Sequence, residues 1–236
     1  MRRLKGCRVK PLIVEFVGLP GCGKSSVAKA VVAALKKENV IERAELTRHL
    51  YRMLRRPRVL FKAILFFLMA PTHWGVKKSV CDVLRAYPLN RERLIYALIF
   101  VRFYKNLVKK MKRGKIIVLD EGLVQFISSI PHETPLQTND ALSALLGRMN
   151  AITRRTLFVE CDLPLEDVVG RLRKRNQDDR FSRVADDHAL RALLRMKKRN
   201  LDALTRDVAL NKLTLDMKQP AAFNADFVLA EMRRSS

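Results

Sequence analysis

Acidic residues are scarce in this chain of 236 residues. It has 23 Asp and Glu against 47 Lys and Arg, which gives a formal net charge of +24 at pH 7. A charge of this size favours anionic partners: a nucleotide, a phosphorylated metabolite, nucleic acid or an acidic membrane surface. Hydrophobic residues make up 48% of the chain, so we expect a globular protein with a sizeable core rather than a disordered polycation.

Cysteine is sparse as well, and its spacing suggests neither a disulfide framework nor a zinc site. The four cysteines are widely separated, without a C-x-x-C pair: Cys7, Cys22, Cys81 and Cys161. The four histidines are isolated and also lack metal-ligand spacing. We therefore predict free thiols in a reducing, cytoplasmic compartment.

Long apolar runs are missing too. The run at residues 59–70 contains Lys62 and ends at Pro71, whereas a membrane-spanning helix needs about 20 apolar residues. The run at residues 12–17 is too short for a signal peptide. We expect a cytoplasmic protein, and leave open a peripheral contact with a membrane.

A glycine-rich segment at residues 18–25 matches G-x-x-x-x-G-K-[ST], the phosphate-binding loop. Residues 12–17 before it indicate a buried strand, and residues 26–37 after it a helix, which is the context that the motif requires. Lys24 is predicted to face the β- and γ-phosphates, and Ser25 to bind Mg²⁺. The predicted nucleotide-binding residues are Gly18, Gly21, Cys22, Gly23, Lys24, Ser25 and Ser26.

The apolar segment 115–122 indicates a strand that ends in two carboxylates, Asp120 and Glu121. In α/β proteins the carboxyl ends of parallel strands face the ligand. We assign Asp120, with Ser25, to Mg²⁺ and Glu121 to the acceptor hydroxyl. The residues leave open which carboxylate is the base, and an ordinary turn at a strand end is the alternative.

Strands alternate with helices along the rest of the chain. Further strands are predicted at residues 156–162 and 213–216, with a weaker one between residues 39 and 45. Long helices are predicted at residues 184–210 and 221–234. The alternation predicts an α/β three-layer sandwich with a mostly parallel, five-stranded sheet.

Two segments between these elements are strongly basic. Residues 47–113 carry 17 Lys and Arg and 2 acidic residues, which gives a net charge of +15. The segment is predicted to form several helices. Its aromatic residues, such as Phe61 and Trp74, are expected in a core. Residues 171–183 follow a predicted strand and helix. We interpret them as a lid whose arginines close over the transferring phosphoryl group, with a solvated basic helix end as the alternative. The proposed catalytic arginines are Arg175, Arg180 and Arg183, whereas Arg171 is expected to pair along its own helix.

Together these motifs resemble the nucleotide-kinase-like P-loop kinases, with thymidylate and deoxynucleoside kinases as the nearest relatives. The resemblance rests on residues 18–25, 120–122, 161–164 and 171–183. It implies a single domain over residues 1–236, strand order 2-3-1-4-5, ATP and Mg²⁺ as cofactors, and an acceptor site under the helices of residues 47–113. The Asp-Arg-Tyr motif of thymidylate kinases and the Glu-Arg-Ser pattern of deoxynucleoside kinases are missing, so the acceptor is not carried over.

Two functions therefore stand as expectations. The first is an ATP-dependent phosphotransferase that acts on a small anionic or nucleotide-like acceptor. The second is a nucleotide-switched ATPase whose basic helices bind an acidic membrane surface or nucleic acid. The expected partners are ATP, a small-molecule acceptor, weak non-specific contacts with acidic membrane or nucleic acid, and a second copy of the chain in a homodimer.

Overall fold

A parallel β-sheet with helices on both faces makes up the computed structural model of this chain. The structure describes residues 13–35, 40–42, 53–54, 56–69, 74–112, 116–131, 134–137, 139–174, 181, 184, 186–208 and 211–234. Within these residues, no helix is both long enough and apolar enough to cross a membrane.

The sheet has the order β2-β3-β1-β4-β5, and all four strand pairs are parallel. The strands are β1 Ile13–Val17, β2 Val40–Glu42, β3 Ile116–Leu119, β4 Thr156–Asp162 and β5 Asn211–Asp216. The weak strand expected between residues 39 and 45 corresponds to β2, of which the structure describes three residues at one edge of the sheet. The predicted α/β fold with a parallel sheet is confirmed, and the strand order is the one that the resemblance implied.

Nine helices lie within the described residues. They are α1 Lys24–Ala34, α2 Pro57–Met69, α3 Trp74–Arg85, α4 Arg91–Met111, α5 Leu123–Ile127, α6 Asp140–Thr153, α7 Leu165–Lys174, α8 Asp187–Val208 and α9 Ala221–Arg234. Local sequence explains several of their starts: the side chains of Asn90 and Asn139 accept backbone hydrogen bonds at the N-termini of α4 and α6. The helix that follows the phosphate loop begins two residues earlier than expected, at Lys24.

Strand β1 is buried on both faces and so contributes to two cores. Ile13 and Val17 point into a core that includes residues of α4, α5 and α6, whereas Val14 and Phe16 point into one that includes residues of α1, α7 and α9. Near-continuous burial is what a central parallel strand requires. Glu15 is therefore an exception in this strand, since it carries a carboxyl group into the interior.

The expectation that the aromatic residues of segment 47–113 are core residues holds only in part. Phe100 and Phe103 on α4 are buried, but Phe61 is 68% exposed and Trp74 is 64% exposed. On α2, Leu60 and Ile64 pack into the core, and Phe61 lies on another side of the helix. Trp74 is the first residue of α3.

A buried arginine ties the start of α4 to the segment that follows α5. The Arg93 guanidinium donates to the carbonyl oxygens of Pro88 and Pro131, the latter at 3.0 Å, and to the Thr134 hydroxyl at 3.3 Å. Arg93 is 5% exposed, so these bonds satisfy a cation that would be costly to bury alone. The helical segment is thereby attached to the part of the chain that leaves the carboxyl edge of the sheet.

Candidate active site

The phosphate loop and the two predicted carboxylates meet at the carboxyl edge of the sheet. Strand β1 lies between β3 and β4, so Gly18 follows the central strand and Asp120 follows its neighbour. This edge is where ligands bind in open α/β sheets.

The loop backbone has the conformation that its glycines permit. Gly21 and Gly23 have φ of 86° and 106°, values that side-chain-bearing residues rarely adopt. Gly23 caps the N-terminus of α1, and the Cys22 N–H donates to the Leu19 carbonyl at 3.3 Å. The N-terminus of α1 therefore points at the loop and contributes positive potential to it.

Lys24 is buried against this loop. Its ammonium group donates to the carbonyl oxygens of Gly18 and Leu19, each at 2.8 Å, and lies 3.9 Å from the Cys22 sulfur. The residue is 7% exposed. A desolvated ammonium held inside the loop is suited to bind phosphate oxygens, because the surrounding protein screens its charge far less than water does.

Ser25 and Asp120, the two residues assigned to Mg²⁺ from the sequence, are in direct contact. The Ser25 hydroxyl donates to Asp120 Oδ2 at 3.0 Å and joins the first turn of α1 to the end of β3. Asp120 is 3% exposed, and its other oxygen, Oδ1, has no hydrogen-bond partner. A hydroxyl next to a buried carboxylate with an unpartnered oxygen fits Mg²⁺, which takes oxygen ligands from one or two side chains and keeps several waters. The described residues contain no cluster of three His, Cys, Asp or Glu that could hold a metal.

The remaining predicted residues are placed differently. The Glu121 side chain is exposed beside the buried Asp120. Ser26 is exposed in the first turn of α1. Arg175, Arg180 and Arg183 lie outside the described residues.

Glu15 is a site residue that the sequence analysis missed. Its Oε1 accepts a hydrogen bond from the Val124 N–H at 2.7 Å, and its Oε2 is buried without a partner. Desolvation by full burial raises the pKa of this carboxyl from 4.5 to about 7, although N–H groups at the start of α5 act in the opposite direction. A single charged residue inside an otherwise apolar strand was the signal in the sequence.

Gly122 makes room for that carboxyl group. A Cβ atom at this position would lie 2.3 Å from the Glu15 carboxyl carbon, far inside van der Waals contact. Position 122 therefore requires glycine, because the Glu15 carboxyl group lies against the turn that carries Asp120 and Glu121. The turn and the central strand are coupled through this contact.

Arg171 also differs from its expected role, because it does not simply pair along α7. Its guanidinium donates to the carbonyl oxygens of Cys22 at 3.2 Å and Met217 at 3.3 Å. The Met217 N–H in turn donates to the Asp162 carbonyl at 2.9 Å. Arg171 thus joins helix α7, the phosphate loop and the turn after β5, three elements that are distant in sequence.

Comparison with solved structures identifies the architecture. The chain aligns with deoxyadenosine kinase from M. mycoides with bound dATP at a TM-score of 0.50 and 10% identity, over 94% of this chain and 98% of that one. The fold resembles that of a deoxynucleoside kinase. A structure of the same enzyme with the products dCMP and dCDP gives a TM-score of 0.50 and 9% identity, over 95% of this chain and 100% of that one. No protein-family model matches the chain, and no curated protein matches it in sequence.

Proposed function

We propose that this protein is an ATP-dependent phosphotransferase that phosphorylates a small nucleoside-like or nucleotide-like acceptor. The observation that carries the proposal is the contact between Ser25 of the phosphate loop and Asp120 at the end of the neighbouring strand. The fold adds support, because the deoxyadenosine kinases that share it hold dATP or the products dCMP and dCDP. The basic chain suits an anionic donor and acceptor.

The donor phosphates would bind to the loop and to Lys24. In the structure the Lys24 ammonium group donates to two loop carbonyl oxygens. When a nucleotide binds, the same group would donate to phosphate oxygens instead. Ser25 and Asp120 would hold Mg²⁺, which neutralises phosphate charge when it is bound. The chain itself contributes positioning and a fixed positive field, the two effects on which phosphoryl transfer mainly depends.

The acceptor would approach from the exposed side of the same turn. Its hydroxyl oxygen attacks the γ-phosphorus, the bond to the ADP oxygen breaks, and Glu121 takes the hydroxyl proton. Glu121 is exposed at the turn, so an incoming acceptor can reach it. In this proposal the helices of residues 47–113 cover the acceptor within a single domain, and Arg175, Arg180 and Arg183 of the lid segment 171–183 stabilise the transferring group.

Substitution of the two carboxylates should separate their roles. We expect Asp120→Asn to raise the Mg²⁺ concentration needed for half-maximal rate by about tenfold, since a carboxylate oxygen is lost next to Ser25. We expect Glu121→Gln to lower turnover by about a hundredfold at saturating Mg²⁺, since the proton acceptor is lost. Metal titrations of the steady-state rate check both. A fully active Glu121→Gln variant would make Glu121 a turn residue and leave the base unassigned.

A second candidate function is favoured by exposed aromatic and basic side chains on α2 and α3. Phe61 and Trp74 are exposed, and Arg58, Lys62 and Lys78 on the same helices are exposed as well. Aromatic rings beside cations are the composition that binds anionic membrane surfaces. In this alternative, ATP turnover would regulate binding to the surface rather than modify a small molecule.

The rate of ADP formation tests one function against the other. The purified protein with MgATP is supplied in parallel with nucleosides and nucleoside monophosphates, with anionic phosphatidylserine vesicles, and with duplex DNA. A phosphotransferase forms ADP in proportion to one small acceptor and ignores the vesicles and DNA. Stimulation by vesicles or DNA alone would overturn the proposal in favour of the surface-binding ATPase.

A further inference from the structure

Two thiols meet behind the phosphate loop. Cys22 belongs to the loop, and Cys161 is the sixth residue of β4. Both are buried free cysteines, and the Cys161 Sγ donates to the Val159 carbonyl oxygen at 3.9 Å. The proposed phosphoryl transfer uses neither the Cys22 thiol nor the Cys161 thiol.

Gly18 provides the space in which the two side chains meet. A Cβ atom at Gly18 would lie 3.1 Å from the Cys22 sulfur and 3.2 Å from the Cys161 Cβ. Both side chains therefore fill the place that a side chain at the first residue of the loop would take.

The surroundings favour one thiolate and one thiol. The neighbouring Cys161 thiol lowers the pKa of the Cys22 thiol, in opposition to burial, and the charges of Lys24 and Arg171 lower it further. The Cys22 thiol and burial raise the pKa of Cys161. An attacking thiolate beside a protonated partner is the arrangement of a reactive and a resolving cysteine.

A small cavity reaches both sulfur-bearing residues. Its volume is about 20 Å³, and Gly18, Cys22, Cys161, Leu163 and Leu201 are among the residues that line it. A volume of this size holds roughly one water molecule. A small neutral oxidant such as hydrogen peroxide is close to water in size and needs little widening to enter.

We propose that Cys22 and Cys161 are a peroxide-sensitive modification site, at which a reversible disulfide joins the phosphate loop to β4. The formation of this disulfide does not depend on the proposed function.

The chemistry is a balanced two-electron oxidation. The Cys22 thiolate attacks one peroxide oxygen, the O–O bond breaks, and hydroxide leaves with a Cys22 sulfenic acid as the product. The Cys161 sulfur then attacks the sulfenic sulfur and an S–S bond forms. The sulfenic OH group takes the proton of the Cys161 thiol and leaves as water. Two thiols and one peroxide give one disulfide and two waters, and a dithiol reductant reverses the reaction.

Nucleotide and oxidant should compete at this loop. Lys24 lies 3.9 Å from the Cys22 sulfur, and bound phosphates would draw its ammonium away and place negative charge nearby. Both changes disfavour the thiolate. Bound ATP should therefore slow the oxidation of Cys22, because the thiolate is the form that attacks peroxide.

Peptide mass analysis after peroxide treatment tests the proposal directly. We would treat the reduced full-length protein with hydrogen peroxide, block remaining thiols with N-ethylmaleimide, digest without reductant, and repeat the treatment with saturating MgATP. The Cys7→Ser/Cys81→Ser variant serves as a matched control, because it keeps only the proposed pair. We expect a Cys22–Cys161 linked peptide in both proteins, formed about tenfold more slowly with ATP.

Single variants define the order of events. In Cys161→Ser the resolving thiol is lost, and we expect dimedone to trap a Cys22 sulfenic acid. In Cys22→Ser neither a linked peptide nor a trapped adduct should form at Cys161. Peroxide that leaves both cysteines reduced in the wild type, or links either of them to Cys7 or Cys81 instead, would overturn the proposal. These readouts need no kinase activity, so failure of the proposed function would be seen separately.

Discussion

Replacement of Lys24 by alanine is expected to lower turnover by about a thousandfold. The substitution removes a buried ammonium group from the loop, and one fixed donor aimed at developing charge accounts for about 3–4 kcal/mol of transition-state stabilisation. ATP affinity should fall as well, because the same group faces the phosphates in the ground state. Steady-state rates and equilibrium binding of labelled ATP measure the two effects.

Lys29→Ala is the matched control for this substitution. Lys29 lies on the same helix as Lys24, but its side chain is exposed. The Lys29→Ala substitution removes the same charge as Lys24→Ala. It should retain wild-type turnover, which would show that the position and not the net charge matters. A folded Lys24→Ala variant with unchanged affinity and turnover would contradict the assignment of the loop to nucleotide phosphates.

Replacement of Glu15 by glutamine is expected to stabilise the protein at alkaline pH. The amide can still accept the Val124 N–H, and its NH₂ group replaces an oxygen that has no partner. At pH 8 the wild type holds a buried negative charge that the variant lacks. We expect the free energy of unfolding to rise by about 3 kcal/mol at that pH.

The pH window of this effect follows from the pKa of Glu15. Its folded-state pKa is raised from 4.5 to about 7, so between these values the folded protein keeps a proton that the unfolded chain has lost. The stabilisation by the protonated carboxyl is complete below pH 4.5 and is lost as the pH rises to about 7. The difference between variant and wild type should therefore be small at pH 4.5 and largest above pH 7.

Urea unfolding at a series of pH values measures this difference. Glu121→Gln is the control, since it removes an exposed carboxylate from the same region of the site. A Glu15→Gln variant whose stability relative to wild type does not change between pH 4.5 and 8 would show that Glu15 is not the buried, raised-pKa group described here.

The sequence was sufficient to predict those elements in which function or burial imposes a local pattern. The glycines, Lys24 and Ser25 of the phosphate loop occur in fixed order, and β4 and α9 have the predicted bounds because continuous apolar runs and clear turn residues mark their ends. The sequence assigned Ser25 and Asp120 to one metal site, and their contact at 3.0 Å is a finding of the structure.

Contacts between distant segments could not be predicted in the same way. The hydrogen bonds of Arg171 to the Cys22 and Met217 carbonyls join elements far apart in sequence, and a basic helix end carries no sign of them. Glu15 was visible as an anomaly in β1, but its partner at Val124 depends on how α5 packs. Phe61 is exposed although it lies in an apolar helix. The sequence of such a helix does not indicate which of its faces lacks a neighbour.

The central claim is that a phosphoryl group moves from ATP to a small acceptor at this edge of the sheet. The most direct measurement is the fate of the label when ATP labelled at the γ-phosphate is incubated with the protein, Mg²⁺ and a panel of nucleosides and nucleoside monophosphates. The label should appear in one acceptor product, and its transfer should disappear in Lys24→Ala. Label that is released only as inorganic phosphate, or that remains in ATP with every acceptor, would contradict the proposed function.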